Sequence, residues 1–403
     1  MTRRATDPRS ASTPAAAPGG GPTPSPRAAV RPRIVVADDS SLMRRILVRT
    51  LTDDGFDVVG EAADGDEALA LCLRHRPDAM TLDLHMPGTD GMAVLRALGE
   101  NGRPGVPTVV VSAFSPAHGA RAVDALAEGA FDLAAKPGAG ESVAEFSAAL
   151  GDKLRAASAS GARTAQRRAA AAAVDAAASS DGPPGLRPSV APAPVARPAA
   201  PLPLRPAVPW RRAAAPGRRL VLIACSTGGP RALAELLPEL PSPLGTGTLV
   251  VQHMPAGFTG SLAARLDGAS ALTVREAGPA ETLAPDGVLI APGGHHLRMT
   301  DVRATALTDE PAIGGLRPRA DLTIADAAKL WGPRLVLVVL TGMGRDGLDG
   351  AHEVRRHGGR ILVEAEDTCT VYGMPRAIAE AGLADRIVPL HEMADAIVRE
   401  VGA

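Results

Sequence analysis

Two sets of residues in this chain have types and spacing suited to chemistry. The first comprises Asp38, Asp39, Asp83, Ser112 and Lys136, each at or near the end of a short apolar run. Three carboxylates brought together repel one another unless a cation neutralises them, and hard oxygen donors of this kind suit Mg²⁺. A hydroxyl and an ammonium beside a metal-bound carboxylate are what a phosphoryl group on that carboxylate requires. The second set is Ser226, His253 and Asp346, again each just beyond an apolar run. A serine hydroxyl is a weak nucleophile that needs a neighbouring base. Imidazole titrates in the right range, and a carboxylate can hold it in the correct tautomer. This is the chemistry of acyl transfer.

Competing readings of the second set are weaker. Cys225 precedes Ser226 by one residue, so near a strand end its thiol should face the opposite side. His295 and His296 lie in a tight Gly-Gly turn, which usually presents side chains to solvent or substrate, so they are assigned a peripheral role. Gly342, Gly344 and Gly347 spell G-x-G-x-x-G, with Glu364 ending the next strand. Asp346, however, would put a negative charge into a loop meant to cradle pyrophosphate, and too little chain follows for a two-halved nucleotide domain. The G-x-S-x-G elbow of α/β-hydrolases is not met, because Ala224 occupies its first glycine position, and the order Ser, His, Asp differs from that fold's order.

The elements that must position these residues alternate. In the N-terminal part, apolar runs Ile34–Ala37, Val58–Ala62, Ala79–Leu84, Pro107–Ser112 and Phe131–Ala135 read as strands, separated by helical periodicities. Such alternation predicts a parallel sheet with helices on both faces, whose ligand crevice lies at the carboxyl ends of the strands. A second α/β unit starts at Arg219. Leu220–Ala224 leads through a small-residue turn at Ser226 into a helix, so backbone N–H groups would face whatever the hydroxyl attacks. Thr248–Gln252 and Arg334–Leu340 are further buried strands, ending just before His253 and in the loop of Asp346.

Composition bounds the rest. The chain has 403 residues and a net charge of -1, which gives no global signal for nucleic acid or membrane, and no apolar run is long enough to span a bilayer. Aromatic residues make up only 2 %, so the cores must be built from Val, Leu, Ile and Ala. Cys72, Cys225 and Cys369 fit no metal spacing, and a reducing, cytoplasmic compartment is the simplest inference. The expected organisation is a disordered tail over 1–32, one α/β domain over 33–150, an Ala/Pro/Arg-rich linker over 151–218 and a second α/β domain over 219–403. The stretch 151–219 carries 12 Lys and Arg against 3 Asp and Glu. A basic tether of this composition mainly keeps the chain in solution, and Ala and Arg favour transient helix through Ala178.

Residues 33–150 resemble a response-regulator receiver domain through VADDS, TLDLHMPGTDG, VSAF and AAKP. The resemblance implies a (βα)5 fold, Asp83 as phosphoryl acceptor, Asp38 and Asp39 as Mg²⁺ acids, a His85 backbone carbonyl on the metal, and Ser112 and Lys136 gripping the phosphoryl oxygens. Leu133 stands where receivers usually carry an aromatic residue. Residues 219–403 resemble the catalytic domain of the chemotaxis protein-glutamate methylesterase (CheB) family through ACSTGGP, VQHMPAGFTGSLAARL, VLIAPGGHHLRM, VLTGMGRDGLDG and GMPRAIAEAG. That resemblance implies a doubly wound, mostly parallel α/β domain. It makes Ser226 the nucleophile, His253 the base and Asp346 the orienting acid, with the backbone N–H groups of Thr227 and Met343 as oxyanion donors. It further implies hydrolysis of glutamate γ-methyl esters on chemoreceptor cytoplasmic domains, and in some members deamidation of receptor glutamines. Hydrolysis would need no cofactor. A chemotaxis histidine kinase would be the phosphodonor, and a monomer with neither nucleic-acid binding nor membrane insertion is expected. The segment RPRADLTI around Arg317–Ile324 differs from the family's usual Arg-Pro-Ser-Val-Asp, a difference that bears on substrate or receiver docking.

Overall fold

The computed structural model describes residues 31–100, 105–113, 116–138, 142–178 and 219–402. Nearly all of the tail expected over 1–32, and the linker beyond Ala178, lie outside the described residues.

The first domain runs β1 (Arg33–Ala37), α1 (Ser41–Asp53), β2 (Asp57–Ala62), α2 (Gly65–His75), β3 (Ala79–Leu82), α3 (Gly91–Glu100), β4 (Thr108–Ser112), α4 (Pro116–Ala127), β5 (Asp132–Ala135) and α5 (Val143–Ala178). Its sheet has the order β2-β1-β3-β4-β5 with every pairing parallel. β3 and β4 are buried along their whole lengths, as expected of continuous apolar runs between two helical layers. Side chains start the first two helices. Ser40 accepts from Met43 N, and Asp64 accepts from Glu67 N while Glu67 reaches back to Ala63 N. α5 runs past the boundary expected at 150: Leu150, Leu154 and Ala157 are wholly buried in one cluster with Ile34, Val36, Val109 and Val111.

The second domain runs β6 (Leu220–Cys225), α6 (Gly229–Leu236), β7 (Thr248–Gln252), α7 (Thr259–Asp267), β8 (Thr273–Glu276), β9 (Ala280–Thr282), β10 (Gly287–Ile290), β11 (His296–Met299), β12 (Ala304–Thr308), α8 (Ala320–Trp331), β13 (Leu335–Val339), α9 (Leu348–Arg356), β14 (Arg360–Glu364), α10 (Met374–Glu380), β15 (Arg386–Val388) and α11 (Leu390–Gly402). Seven parallel strands form the sheet β15-β14-β13-β6-β7-β10-β8, and β11-β12-β9 form a small antiparallel sheet beside it. β6 lies between β7 and β13. The chain winds from β6 out through β7 and later returns on the other side through β13, so strand order reverses at β6. A doubly wound sheet opens its crevice at that reversal, outside the carboxyl ends of the strands. Ser226 follows β6, and His253 and Asp346 follow the strands on either side. The core is aliphatic, as the composition requires; Phe56 and Phe258 are the large aromatic side chains fully buried in it. Among the described residues, no helix is long and apolar enough to cross a membrane.

Candidate active site and phosphoacceptor site

β6 and β7 are in register at Cys225 and Gln252, which makes Ser226 and His253 the next residues on adjacent strands. Ser226 N–H donates to the Thr341 carbonyl at 3.0 Å, tying the turn to the strand on its other side. Gly228 has φ +81°, and a Cβ there would come within 2.5 Å of Thr370 Cβ, so this position admits only glycine. Cys225 faces the interior, as its place one residue before the nucleophile predicted. Its Sγ lies 3.0 Å from Gln252 Oε1, and burial pushes its thiol pKa up, so it remains a neutral S–H.

His253 Nε2 lies 2.7 Å from Asp346 Oδ2. Asp346 Oδ2 also accepts from Ala320 N at 2.7 Å, and its Oδ1 accepts from Asp321 N and Gly347 N at 3.0 Å each. The carboxylate thus sits at the N-terminus of α8, where N–H groups and the helix dipole favour negative charge. Burial opposes ionisation of Asp346, but the hydrogen bond and charge of His253 and the bonds from the helix hold it below the usual carboxylate range. With Nε2 directed at the acid, Nδ1 is the ring nitrogen left for Ser226. Among the described residues no hydrogen bond joins Ser226 Oγ to the ring; such bonds commonly tighten only when substrate binds.

The two expected oxyanion donors are aimed from behind. The Ser226 carbonyl accepts from Gln252 Nε2 at 3.0 Å and Gly229 N at 2.7 Å. In a trans peptide the N–H points opposite to the carbonyl, so the Thr227 N–H is turned the other way. The Gly342 carbonyl accepts from Gly373 N at 3.1 Å and Met374 N at 2.9 Å, which turns the Met343 N–H likewise. Neither N–H has a hydrogen-bond partner among the described residues. Gly342 is obligatory here, since a Cβ would lie 2.4 Å from Met374 Sδ and 2.9 Å from Ser226 Cβ.

The segment RPRADLTI, whose difference from the family pattern bears on docking, also supplies two of the backbone N–H groups that hold Asp346. His296, expected at the periphery, is wholly buried: Nδ1 accepts from Arg319 N and Nε2 faces Pro311 O. His295 is half exposed and pairs with Asp309. Two side chains of the RPRADLTI segment, Asp321 and Arg319, lie beside the acid. Asp321 Oδ1 accepts from Gly347 N and Gly350 N, its Oδ2 pairs with Arg319 at 2.7 Å, and Arg319 Nε lies 3.4 Å from Asp346 Oδ1. Burial, then the neighbouring Asp346, raise the Asp321 pKa to about 6. Nothing in the sequence alone sets either side chain against Asp346.

At the carboxyl edge of the first sheet, oxygens of Asp38, Asp39 and Asp83 lie within 4.8 Å of one another. Lys136 Nζ bridges Asp38 Oδ2 at 2.7 Å and Asp83 Oδ2 at 2.6 Å. Burial, opposed by Lys136, raises the Asp38 pKa. Lys136 is itself disfavoured as a cation by burial, but its two carboxylate partners outweigh this and raise its pKa. One ammonium among three carboxylates leaves negative charge for a hard divalent cation, so the donor set fits Mg²⁺. His85 N donates to Asp83 Oδ1 at 3.1 Å. Ser112 is buried at the same edge and donates to Ala113 O at 3.4 Å, and its carbonyl accepts from Lys136 N. Leu133, in the aromatic position, is buried in the core.

The first domain touches the hydrolase at its nucleophile loop. Thr227 Oγ1 donates to Asp132 Oδ2, which also pairs with Lys153 at 2.7 Å. Val371 and Met343 pack in the cluster that contains Phe131, and Arg265 pairs with Asp124. No motif marks Asp132.

Comparison with known proteins identifies both domains. Residues 34–146 match the response regulator receiver domain and 221–397 match CheB methylesterase. A protein-glutamate methylesterase/protein-glutamine glutaminase of Symbiobacterium thermophilum is 41 % identical over 92 % of this chain and 97 % of its own. One from Anaeromyxobacter dehalogenans is 38 % identical over 95 % and 98 %. The crystal structure of the Thermotoga maritima CheB methylesterase catalytic domain is 41 % identical, covering 45 % of this chain and 97 % of that one, with a TM-score of 0.44. The chain therefore belongs to the CheB family of protein-glutamate methylesterases/protein-glutamine glutaminases, in the form that carries a receiver domain ahead of the hydrolase.

Proposed function

We propose that Ser226, His253 and Asp346 hydrolyse glutamate γ-methyl esters on the cytoplasmic domains of methyl-accepting chemoreceptors. His253 Nδ1 takes the Ser226 proton as Oγ attacks the ester carbonyl. The developing oxyanion is stabilised by the N–H groups of Thr227 and Met343. His253 returns the proton as the C–O bond breaks and methanol leaves. Water then repeats the sequence on the acyl-serine, freeing glutamate and restoring Ser226. With a glutamine side chain, ammonia is the leaving group in the same steps. The observation that carries this reading is the His253–Asp346 pair at 2.7 Å beside a serine whose flanking peptides are pinned from behind.

The receiver supplies control. Asp83 accepts a phosphoryl group from a chemotaxis histidine kinase, and Ser112 and Lys136 bind its oxygens. Mg²⁺, held by Asp38, Asp39, Asp83 and the His85 carbonyl, would neutralise charge on that group. Lys136 now spans Asp38 and Asp83, so phosphorylation must rearrange it. In the unphosphorylated state the receiver covers the nucleophile loop through Asp132, and phosphorylation shifts the population towards an uncovered arrangement. The protein acts as a cytoplasmic monomer.

The test is methanol release from a methylated receptor fragment, with and without acetyl phosphate and Mg²⁺, in wild type, Ser226→Ala and Asp83→Asn. Ser226→Ala should lose activity in both conditions. Asp83→Asn should keep basal release and lose stimulation. Release that survives Ser226→Ala would overturn the catalytic assignment, and equal stimulation in Asp83→Asn would overturn the control.

A further inference from the structure

Gln252, the last residue of β7, is 2 % exposed and uses its whole carboxamide between the nucleophile and the base. Its Nε2 donates to the Ser226 carbonyl at 3.0 Å and to the His253 carbonyl at 2.9 Å. Its Oε1 accepts from the Cys225 thiol at 3.0 Å. Gly229 makes room for it: a Cβ there would lie 2.0 Å from Gln252 Oε1. The two N–H groups face two carbonyls and the oxygen faces the one S–H, so only one orientation of the amide satisfies every partner. The flipped amide would set its oxygen against two carbonyls and its NH₂ against the thiol.

We infer that Gln252 is a positioning residue of the hydrolase, aiming the Thr227 N–H at the oxyanion and fixing the backbone of His253, and that the Cys225 thiol locks the direction in which its amide faces. The inference rests on the hydrolase reading above. Gln252 touches no substrate; it acts through the Ser226–Thr227 peptide. A peptide whose carbonyl is held by Nε2 keeps its N–H turned to one point before substrate arrives, and a preorganised donor of this kind acts on the transition state. The arrangement also gives Cys225 a part without nucleophilicity: a buried neutral S–H is the donor that Oε1 needs.

Two pairs of measurements on the full chain test this. The first uses Gln252→Glu, an isostere whose ionised carboxylate faces two carbonyls, and whose protonated form regains one donor. At pH 8 its kcat should fall about 10–100-fold with KM within about twofold. The deficit relative to wild type should shrink as pH is lowered towards 5.5, because burial raises a carboxyl pKa and restores the proton. A deficit that does not change with pH would overturn the role. The second pair keeps Gln252. Cys225→Ser retains a donor and should stay within about twofold of wild type, whereas Cys225→Ala should lose about fivefold or more in kcat. Equal rates in the two variants would overturn the lock, and this pair remains decisive if Gln252→Glu does not fold. Labelling of Ser226 by a fluorophosphonate is read in parallel. Wild type that labels but releases no methanol would refute the methylesterase reading, while the labelling rates of the variants would still judge Gln252.

Discussion

The two reactive centres occupy the same place in the same kind of sheet, yet they are held in different ways. In the receiver, one lysine bridges Asp38 and Asp83, each of which also accepts a single backbone N–H, from Ser40 and His85, and Asp39 is exposed. In the hydrolase, the acid accepts three backbone N–H groups and the peptides beside the nucleophile are pinned through their carbonyls. A centre that must take on and lose a charged group needs partners that can let go. A centre that must meet a short-lived oxyanion needs donors that do not move. The proposed function therefore asks the receiver centre to adjust and the hydrolase centre to stay fixed.

That contrast can be tested from its strongest consequence to its weakest. Asp346→Asn removes the charge opposite His253 and sets an NH₂ donor where one carboxylate oxygen accepted, so its single oxygen keeps either the Ala320 N–H or those of Asp321 and Gly347. It should lower kcat by about 10³–10⁴-fold with little change in KM. A loss smaller than tenfold would mean that the backbone cage, not the carboxylate, sets the ring. At the contact between the halves, Asp132→Ala removes the acceptor of Thr227 Oγ1. A hydrogen bond to a charged group is worth about 1.5–3 kcal/mol, so the unphosphorylated methanol-release rate should rise by about 10–100-fold while the phosphorylated rate stays put. An unchanged basal rate would show that the cover depends on other contacts. The smallest effect concerns Asp321. Its folded pKa is raised from 3.8 to about 6, so between those values the native state holds a proton that the unfolded chain has released. Stability then falls as pH rises through that window and levels off above it. In Asp321→Asn, urea midpoints should lose that slope; an identical pH dependence in both proteins would mean that Asp321 is ionised throughout.

The two sheets were legible because fully buried strands write themselves as apolar runs, and the reactive side chains follow those runs directly. Asp38, Asp83, Lys136, Ser226, His253 and Asp346 were all found that way, and the structure places each at the expected sheet edge. Short elements were not legible. β15 has three residues and α10 seven, too few for a period to emerge, yet Met374 at the start of α10 donates its N–H to the Gly342 carbonyl. The reading of His296 as peripheral differs for another reason: such a residue looks solvated until the backbone that folds over it is known. Asp132 shows that a contact between domains leaves no periodic trace in either.

The scarcity of aromatic residues has an optical consequence. The chain has two tryptophans, Trp210 and Trp331, and none in the receiver. Trp331 is almost fully buried on α8, the helix whose first turn holds Asp346, with Arg334 stacked 5.0 Å from its ring. Its indole nitrogen has no hydrogen-bond partner among the described residues, and the ring packs in the aliphatic cluster of its domain. The hydrolase thus carries an intrinsic fluorophore on the helix that holds Asp346. In a Trp210→Phe background, the emission would report on that helix alone, with the receiver silent at the same wavelength.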